Sequence, residues 1–144
     1  MKKLLALLLA MALFGVFAVG ASAAVIGGGT VEPMYDVESN FKLKITITEG
    51  RINIGTIYNI SNEPVSLVKI TLSLTRRVGL AVFVVALDGG EYNHVYSATS
   101  LDGSVTVGAD VTGNGTYTAT AVVEITGNGG IVTTDTLTAT AIKS

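Results

Sequence analysis

Strict alternation of apolar and polar residues in short runs is the feature that most constrains the fold of this chain. In the first run, 41–48, Phe41, Leu43, Ile45 and Ile47 alternate with Lys and Thr. Successive side chains of a β-strand point to opposite faces, so a period of two predicts a strand with one buried face and one wet face. Beyond the N-terminal segment we find no helical periodicity, and the pattern therefore predicts an all-β fold.

Further runs of this kind are separated by Gly, Asn, Asp and Pro residues typical of turns. The predicted strands are 41–48, 51–60, 65–75, 80–87, 104–111, 116–126 and 131–142, with a weaker candidate at 92–98. Turns are predicted at 61–64, 76–79 and 101–103. In the second strand Gly55 interrupts the alternation and Ile57 falls out of phase, which predicts a β-bulge. Short strands at regular spacing predict a β-sandwich or small barrel.

The phase of the alternation also predicts which side chains form the core. The residues expected to be largely buried are Phe41, Ile45, Ile54, Ile70, Leu72, Val107, Tyr117, Ala119 and Val123.

One local motif favours the sandwich. Residues 113–119 read Gly-Asn-Gly-Thr-Tyr-Thr-Ala, a turn followed by a strand entry. In immunoglobulin-like domains a Tyr at the start of the penultimate strand, two residues before a core position, bonds through its hydroxyl to the backbone at the sheet corner. Tyr117 and Ala119 match that arrangement, although an ordinary strand start with Tyr at an edge is the alternative. We therefore predict a single immunoglobulin-like antiparallel β-sandwich of seven to eight strands over 41–144.

The first 23 residues have the three-part plan of a secretory signal peptide. Lys2 and Lys3 precede an uncharged apolar stretch that should be helical, and Ala21-Ser22-Ala23 forms a small-x-small cleavage site. An uncleaved anchor is the alternative, but the stretch is at the lower limit for crossing a bilayer. The sequence predicts a signal peptide at 1–23, a flexible leader at 24–40 and a secreted product.

Charge and composition bear on possible partners. The net charge is −2, and loss of Lys2 and Lys3 would make it −4, which argues against a nucleic-acid partner. No second hydrophobic span follows, so we expect no membrane contact after signal cleavage. The chain has no Cys and so lacks disulfides, thiol nucleophiles and thiolate metal ligands.

The sequence lacks a recognisable catalytic constellation. A catalytic triad or zinc site would have to use His94, the only histidine, and no nucleophile-elbow motif accompanies it. Acidic residues are scattered singly and form no calcium-loop run. We expect no catalytic residues, metal site or cofactor and no enzymatic activity. A small secreted hydrolase with two facing carboxylates is a remote alternative.

Two candidate surfaces stand out. Tyr92, His94 and Tyr96 alternate on one predicted strand face, where aromatic rings would stack on sugar or peptide. The alternative is that they pack over the sandwich edge. The second candidate is strand 80–87, which is apolar on both faces and puts Phe83 and Val84 on opposite sides. One face should lie in the core, and the other should be covered by the leader, a loop or another molecule.

Three segments together carry a family resemblance. They are the Pro-x-Tyr element in Val31-Glu32-Pro33-Met34-Tyr35, the basic hairpin at 74–79 and the closing hairpin at 117–137. With these the chain resembles small secreted Gram-positive proteins of unknown function that carry a signal peptide, a short leader and one immunoglobulin-like domain. The resemblance implies that plan and assigns no functional residue.

The sequence favours a secreted, non-enzymatic binding or cell-surface-associated module. Its ligand is unknown, and a cell-envelope glycan or protein is a candidate. The alternative from another class is a structural subunit that self-associates into an extracellular layer or fibre.

We predict cleavage between Ala23 and Ala24, because the small-x-small site ends there. Intact-mass measurement of the exported protein should place its N-terminus at Ala24 or within about two residues of it. An exported product that retains 1–23 contradicts the secretion hypothesis.

Overall fold

The computed structural model describes residues 25–26, 29–30, 37–60 and 65–144. The predicted signal peptide and the predicted turn at 61–64 lie outside the described residues. The strands are β1 (Val25–Ile26), β2 (Gly29–Thr30), β3 (Phe41–Thr48), β4 (Arg51–Asn59), β5 (Val65–Val78), β6 (Ala81–Val84), β7 (His94–Ala98), β8 (Asp102–Asp110), β9 (Gly115–Gly127) and β10 (Val132–Lys143). A single helical turn, α1 (Val37–Asn40), precedes β3. No helix in the described ranges has the length and apolarity to cross a bilayer.

The strands form an all-β, two-sheet sandwich, as the alternation predicted. The larger sheet has the order β10–β9–β5, and the far edge of β5 pairs first with β7 and then, near its end, with β6. The smaller sheet has the order β3–β4–β8. Within the predicted leader, β1 and β2 form a separate antiparallel pair.

The core lies between the inward faces of β4, β5, β8 and β9. On β5 the side chains of Val68, Ile70, Leu72 and Leu74 are fully buried, at every second position. Leu72 and Leu74 sit opposite Ala121 and Ala119 of β9, so bulky side chains pair with small ones. Such pairing fills space without voids. All nine side chains predicted to be buried are buried.

The predicted bulge in the second strand is wrong. β4 pairs with β3 without a break from Phe41↔Tyr58 to Thr48↔Arg51, and its pairing with β8 is equally regular. Thr56 is fully buried, whereas Ile57 is 65% exposed. The alternation is therefore intact, with a threonine facing inward and an isoleucine outward. Within the described structure the buried Thr56 Oγ1 has no hydrogen-bond partner.

Two predicted turns are displaced. β5 continues to Val78, so the turn predicted at 76–79 falls at Gly79 and Leu80 instead. β8 begins at Asp102, because backbone pairing with β4 extends to Asn59↔Asp102. A Cβ at Gly103 would lie 2.8 Å from the Tyr58 ring, so this glycine allows close packing within a strand rather than a turn.

The predicted strand at 80–87 is shorter than expected. Only Ala81–Val84 pair with β5, and all four residues are exposed. Val85 and Leu87 are buried. The Val85 N–H still donates to the Leu74 carbonyl of β5, and beyond Val85 the chain leaves the larger sheet, since the Asp88 N–H donates to the Gly108 carbonyl of β8. The expectation that one face lies in the core is thus wrong for 81–84 and holds only for Val85 and Leu87. Cover of the exposed residues by the leader or by another molecule stays a prediction.

Because Leu72 is fully buried opposite Ala121, we predict that Leu72→Ala lowers the free energy of unfolding by about 2–5 kcal/mol. Chemical denaturation followed by circular dichroism measures this. Ile57→Ala is the matched control, since Ile57 is 65% exposed and its truncation should cost at most about 0.5 kcal/mol. Equal losses for the two variants would contradict the assigned core.

Candidate functional site: an exposed apolar hairpin

The most distinctive surface of the molecule is the tip of the β5–β6 hairpin, residues 78–84, which we call the apolar hairpin. Its register runs from Thr75↔Val84 to Val78↔Ala81, and the turn holds Gly79 in the left-handed region at a φ of 59°. Glycine adopts that conformation without steric cost. The exposed fractions are 46% for Val78, 96% for Leu80, 62% for Val82, 49% for Phe83 and 63% for Val84.

The apolar side chains project on both sides of the hairpin. Directly paired residues of an antiparallel ladder point to the same face. Val82, opposite Arg77, therefore lies on the outer face of the sheet with Val84. Phe83, opposite Arg76, lies on the inner side beyond the core. With Leu80 at the turn, the hairpin is apolar on two faces and at its tip.

Two arginines stand at the base of the apolar hairpin. The Arg76 guanidinium lies over the Phe83 ring, 5.3 Å from its centroid, and its Nη1 donates to the Thr112 carbonyl at 2.6 Å. The Arg77 Nε donates to the Gly79 carbonyl at 3.1 Å. These contacts fix the direction of the hairpin and place positive charge next to its apolar surface.

Tyr117 supports this base from β9. Its hydroxyl accepts a hydrogen bond from the Thr112 N–H at 3.0 Å and donates to the Gly113 carbonyl at 2.7 Å. This is the return to the upstream backbone that the residue pattern at 113–119 predicted. Burial raises the pKa of Tyr117, but the bonds from Thr112 and the nearby Arg76 charge outweigh it, so the net pKa is lowered.

A second anchor holds the segment that follows the hairpin. Arg51 of β4 donates to Asp88 and to Asp110, each at 2.6 Å. The two carboxylates raise the pKa of Arg51, Asp88 having the larger effect. A Cβ at Gly108 would collide with the Arg51 and Asp88 side chains, so glycine leaves room for this clamp. Arg51 therefore anchors the chain at Asp88, shortly after the exposed strand β6.

The aromatic candidates near β7 are arranged differently. Tyr92 precedes β7 and is 58% exposed, so only His94 and Tyr96 share a strand face. Tyr96 lies edge-to-face with Tyr58, with 6.4 Å between ring centroids, and is packed against the core. His94 Nδ1 lies 3.7 Å from a Glu91 carboxylate oxygen. Burial is the main reason that the pKa of Tyr58 is raised.

The structure therefore joins the predicted interface residues Phe83 and Val84 to residues that the sequence analysis did not select. Leu80, Val82 and the two arginines complete the surface. In the sequence, the Arg-Arg pair before Val78-Gly79-Leu80 indicates a charged hairpin next to apolar residues. The alternation alone does not predict that the strand after this turn projects past the core.

The described part of the chain contains no group of three or more His, Cys, Asp or Glu side chains placed to hold a metal ion. In comparisons with known proteins, no family model, no curated protein and no solved structure matched the chain. Functional inference therefore depends on the geometry of the molecule itself.

We predict that Tyr117→Phe lowers the free energy of unfolding by about 0.5–1.5 kcal/mol, because it removes the hydroxyl bonded to Thr112 and Gly113. Tyr92→Phe, at a position 58% exposed, is the control and should change stability by less than about 0.5 kcal/mol. Thermal and urea unfolding measure both. An unchanged free energy of unfolding for Tyr117→Phe would show that the hydrogen bonds of the Tyr117 hydroxyl do not stabilise the fold.

Proposed function

We propose that this protein is an exported, non-enzymatic, immunoglobulin-like module that binds at the cell surface through its apolar hairpin. The observation that carries the proposal is the exposure of Leu80, Val82, Phe83 and Val84 on one projecting element. Soluble proteins rarely leave a contiguous apolar surface open unless it meets a partner.

The immunoglobulin-like assignment is supported by strand order. With β3, β4 and β8 taken as strands A, B and E, and β5, β9 and β10 as C, F and G, the two sheets read A-B-E and G-F-C. That order agrees with the immunoglobulin arrangement, in which an additional strand pairs at the free edge of C in variable-type domains. The hydroxyl of Tyr117 at the entry to β9 supports the same assignment.

The rigidity of the base supports a binding role. Arg76, Tyr117 and Arg51 fix the backbone on either side of the hairpin. A preorganised surface loses less conformational entropy when it binds than a mobile loop does. Export is supported by the signal-like segment at 1–23, whose predicted cleavage site precedes Ala24.

The test is binding of the mature protein, residues 24–144, to the envelope fraction of the producing cell. We predict that a Leu80→Ser/Val84→Ser double variant binds at least about tenfold more weakly, since two exposed apolar contacts are lost. Ile57→Ser, a substitution on the other sheet at a residue 65% exposed, should bind like the parent.

Circular dichroism and thermal unfolding must first show that both variants fold. No binding by the parent, or equal binding by the parent and the double variant, would overturn the proposal.

A self-assembling structural subunit is the second candidate, favoured by one observation. The edge of β6 that faces away from β5 has no partner strand in the described structure, and its sequence Ala-Val-Phe-Val carries no charge or proline. Such an edge is prone to pair with another copy. Light scattering after gel filtration would then give a mass that rises with concentration and falls back to the monomer in the double variant.

A further inference from the structure

We propose that the apolar hairpin inserts into the interface of an anionic lipid surface. This inference rests on the proposed cell-surface function and names the chemistry of the partner. A sequence-based expectation of no membrane contact considered only spanning segments, and a short hairpin that enters the headgroup region is a different mode of attachment.

The shape of the apolar hairpin favours a lipid interface over a flat protein surface. Val82 and Val84 lie on the outer face, Phe83 lies on the opposite side, and Leu80 projects from the turn. A flat protein surface would cover one of these faces and leave the others in water. A lipid interface surrounds a projecting hairpin and removes all of them from water together.

The positive charge near the base of the apolar hairpin favours an anionic lipid surface. Arg76 and Arg77 lie at the base of the apolar hairpin. At the same end of the larger sheet, Lys143 of β10 pairs with Gly115 of β9. The strand ends at this edge of the larger sheet, 73–78, 81–84, 115–120 and 138–143, contain no Asp or Glu. Acidic residues outnumber basic ones in the whole chain, 11 to 9, so this acid-free end of the larger sheet is a local departure. The acidic side chains of Asp88 and Asp110, which lie near it, both pair with Arg51.

A row of paired residues joins the apolar and cationic features. Ile142 of β10 lies opposite Thr116 of β9, Thr116 lies opposite Arg77, and Arg77 lies opposite Val82. Ile142 is 76% exposed and shares the outer face with Val82. Ile142 is therefore a second exposed apolar position on the outer face of this sheet end, separated from Val82 by Arg77 and Thr116, and Lys143 follows it in the chain. Cations beside an apolar surface are the arrangement that anionic headgroups attract.

The backbone limits how deep this insertion is. Groups on the free edge of β6 need hydrogen bonds, and the hydrocarbon core offers none. The hairpin should therefore stop at the boundary between headgroups and acyl chains, where water is still present. At that depth Leu80 and Phe83 meet the acyl region while Arg77 remains among the phosphates.

The experiment uses Phe83→Trp as a fluorescent reporter in the mature protein, because the natural chain contains no tryptophan. Vesicles are made of phosphatidylcholine alone or of phosphatidylcholine with phosphatidylglycerol in a 7:3 ratio, a composition on the order of that of anionic membranes. We predict a blue shift of the emission from the introduced tryptophan with the anionic vesicles and a much smaller shift with neutral ones. Ile57→Trp, on the other sheet, should keep its emission maximum.

Two further variants test the separate contributions. On anionic vesicles Arg77→Gln should weaken binding by about fivefold, which corresponds to the contribution of one cation near an anionic surface. Leu80→Ser in the Phe83→Trp background should reduce the shift on both vesicle types. Raising the salt concentration should abolish the preference for anionic lipid, since the headgroup attraction is screened.

The outcomes separate this inference from the proposed function. Envelope binding without a vesicle-induced shift overturns the lipid proposal and leaves a protein or glycan partner. A blue shift that grows with protein concentration in the absence of vesicles also overturns it, in favour of a second copy of the chain. If the protein binds neither the envelope fraction nor the vesicles, the proposed function is overturned as well.

Discussion

The rest of the structure depends on the pairing of β5 with β9. These two strands lie side by side from Val65↔Gly127 to Arg77↔Thr116, and both present alternating buried residues to the smaller sheet. Each also has a neighbour on its other edge, which makes them the interior strands of the larger sheet. The core forms because this pair supplies a continuous apolar face, and the other strands extend or cover it.

The same pairing produces the exposed hairpin. β5 is longer than the core beneath it, so after Leu74 its inward positions are taken by Arg76 and Val78. Beyond that point β6 pairs with β5 past the last buried residue of β5, so its valines are exposed and Phe83 is half-exposed. Exposed apolar residues contribute little to stability, whereas binding can use them. Arg76 and Tyr117 connect the base of this projection to the backbone of Thr112 and Gly113.

Much of the fold followed from the sequence because inside and outside alternate locally. Each of the eight predicted strands has a counterpart, and the predicted core is buried, since period-two patterning needs no knowledge of the partner strand. The bulge at Gly55 and Ile57 was predicted wrongly because an apolar side chain was assumed to face the core. Only the regular pairing on both sides of β4 shows that Ile57 faces outward. Gly103 was assigned to a turn because its role depends on the distant Tyr58 ring.

The candidate site was predictable only in part. Phe83 and Val84 stood out because an apolar strand with two apolar faces needs a cover. The point where the chain leaves the sheet is set by a change of backbone partner, from Leu74 of β5 at Val85 to Gly108 of β8 at Asp88, and Gly108 lies far along the sequence. For that reason the buried Val85 and the exposed Val84 look alike in the sequence. The aromatic residues around β7 are placed by the same long-range pairing, through Tyr96 and Ile70.

The pairing of Leu72 with Ala121 also affects when the core can form, because ribosomes synthesise proteins from the N-terminus. β5 cannot pair with β9 until most of the chain has been synthesised. Domains dominated by such non-local contacts fold slowly. A slow-folding chain stays unfolded for longer, which favours export through a channel that passes only unfolded polypeptides. The topology that gives the mature domain its core would thus also delay its folding until after passage across the membrane.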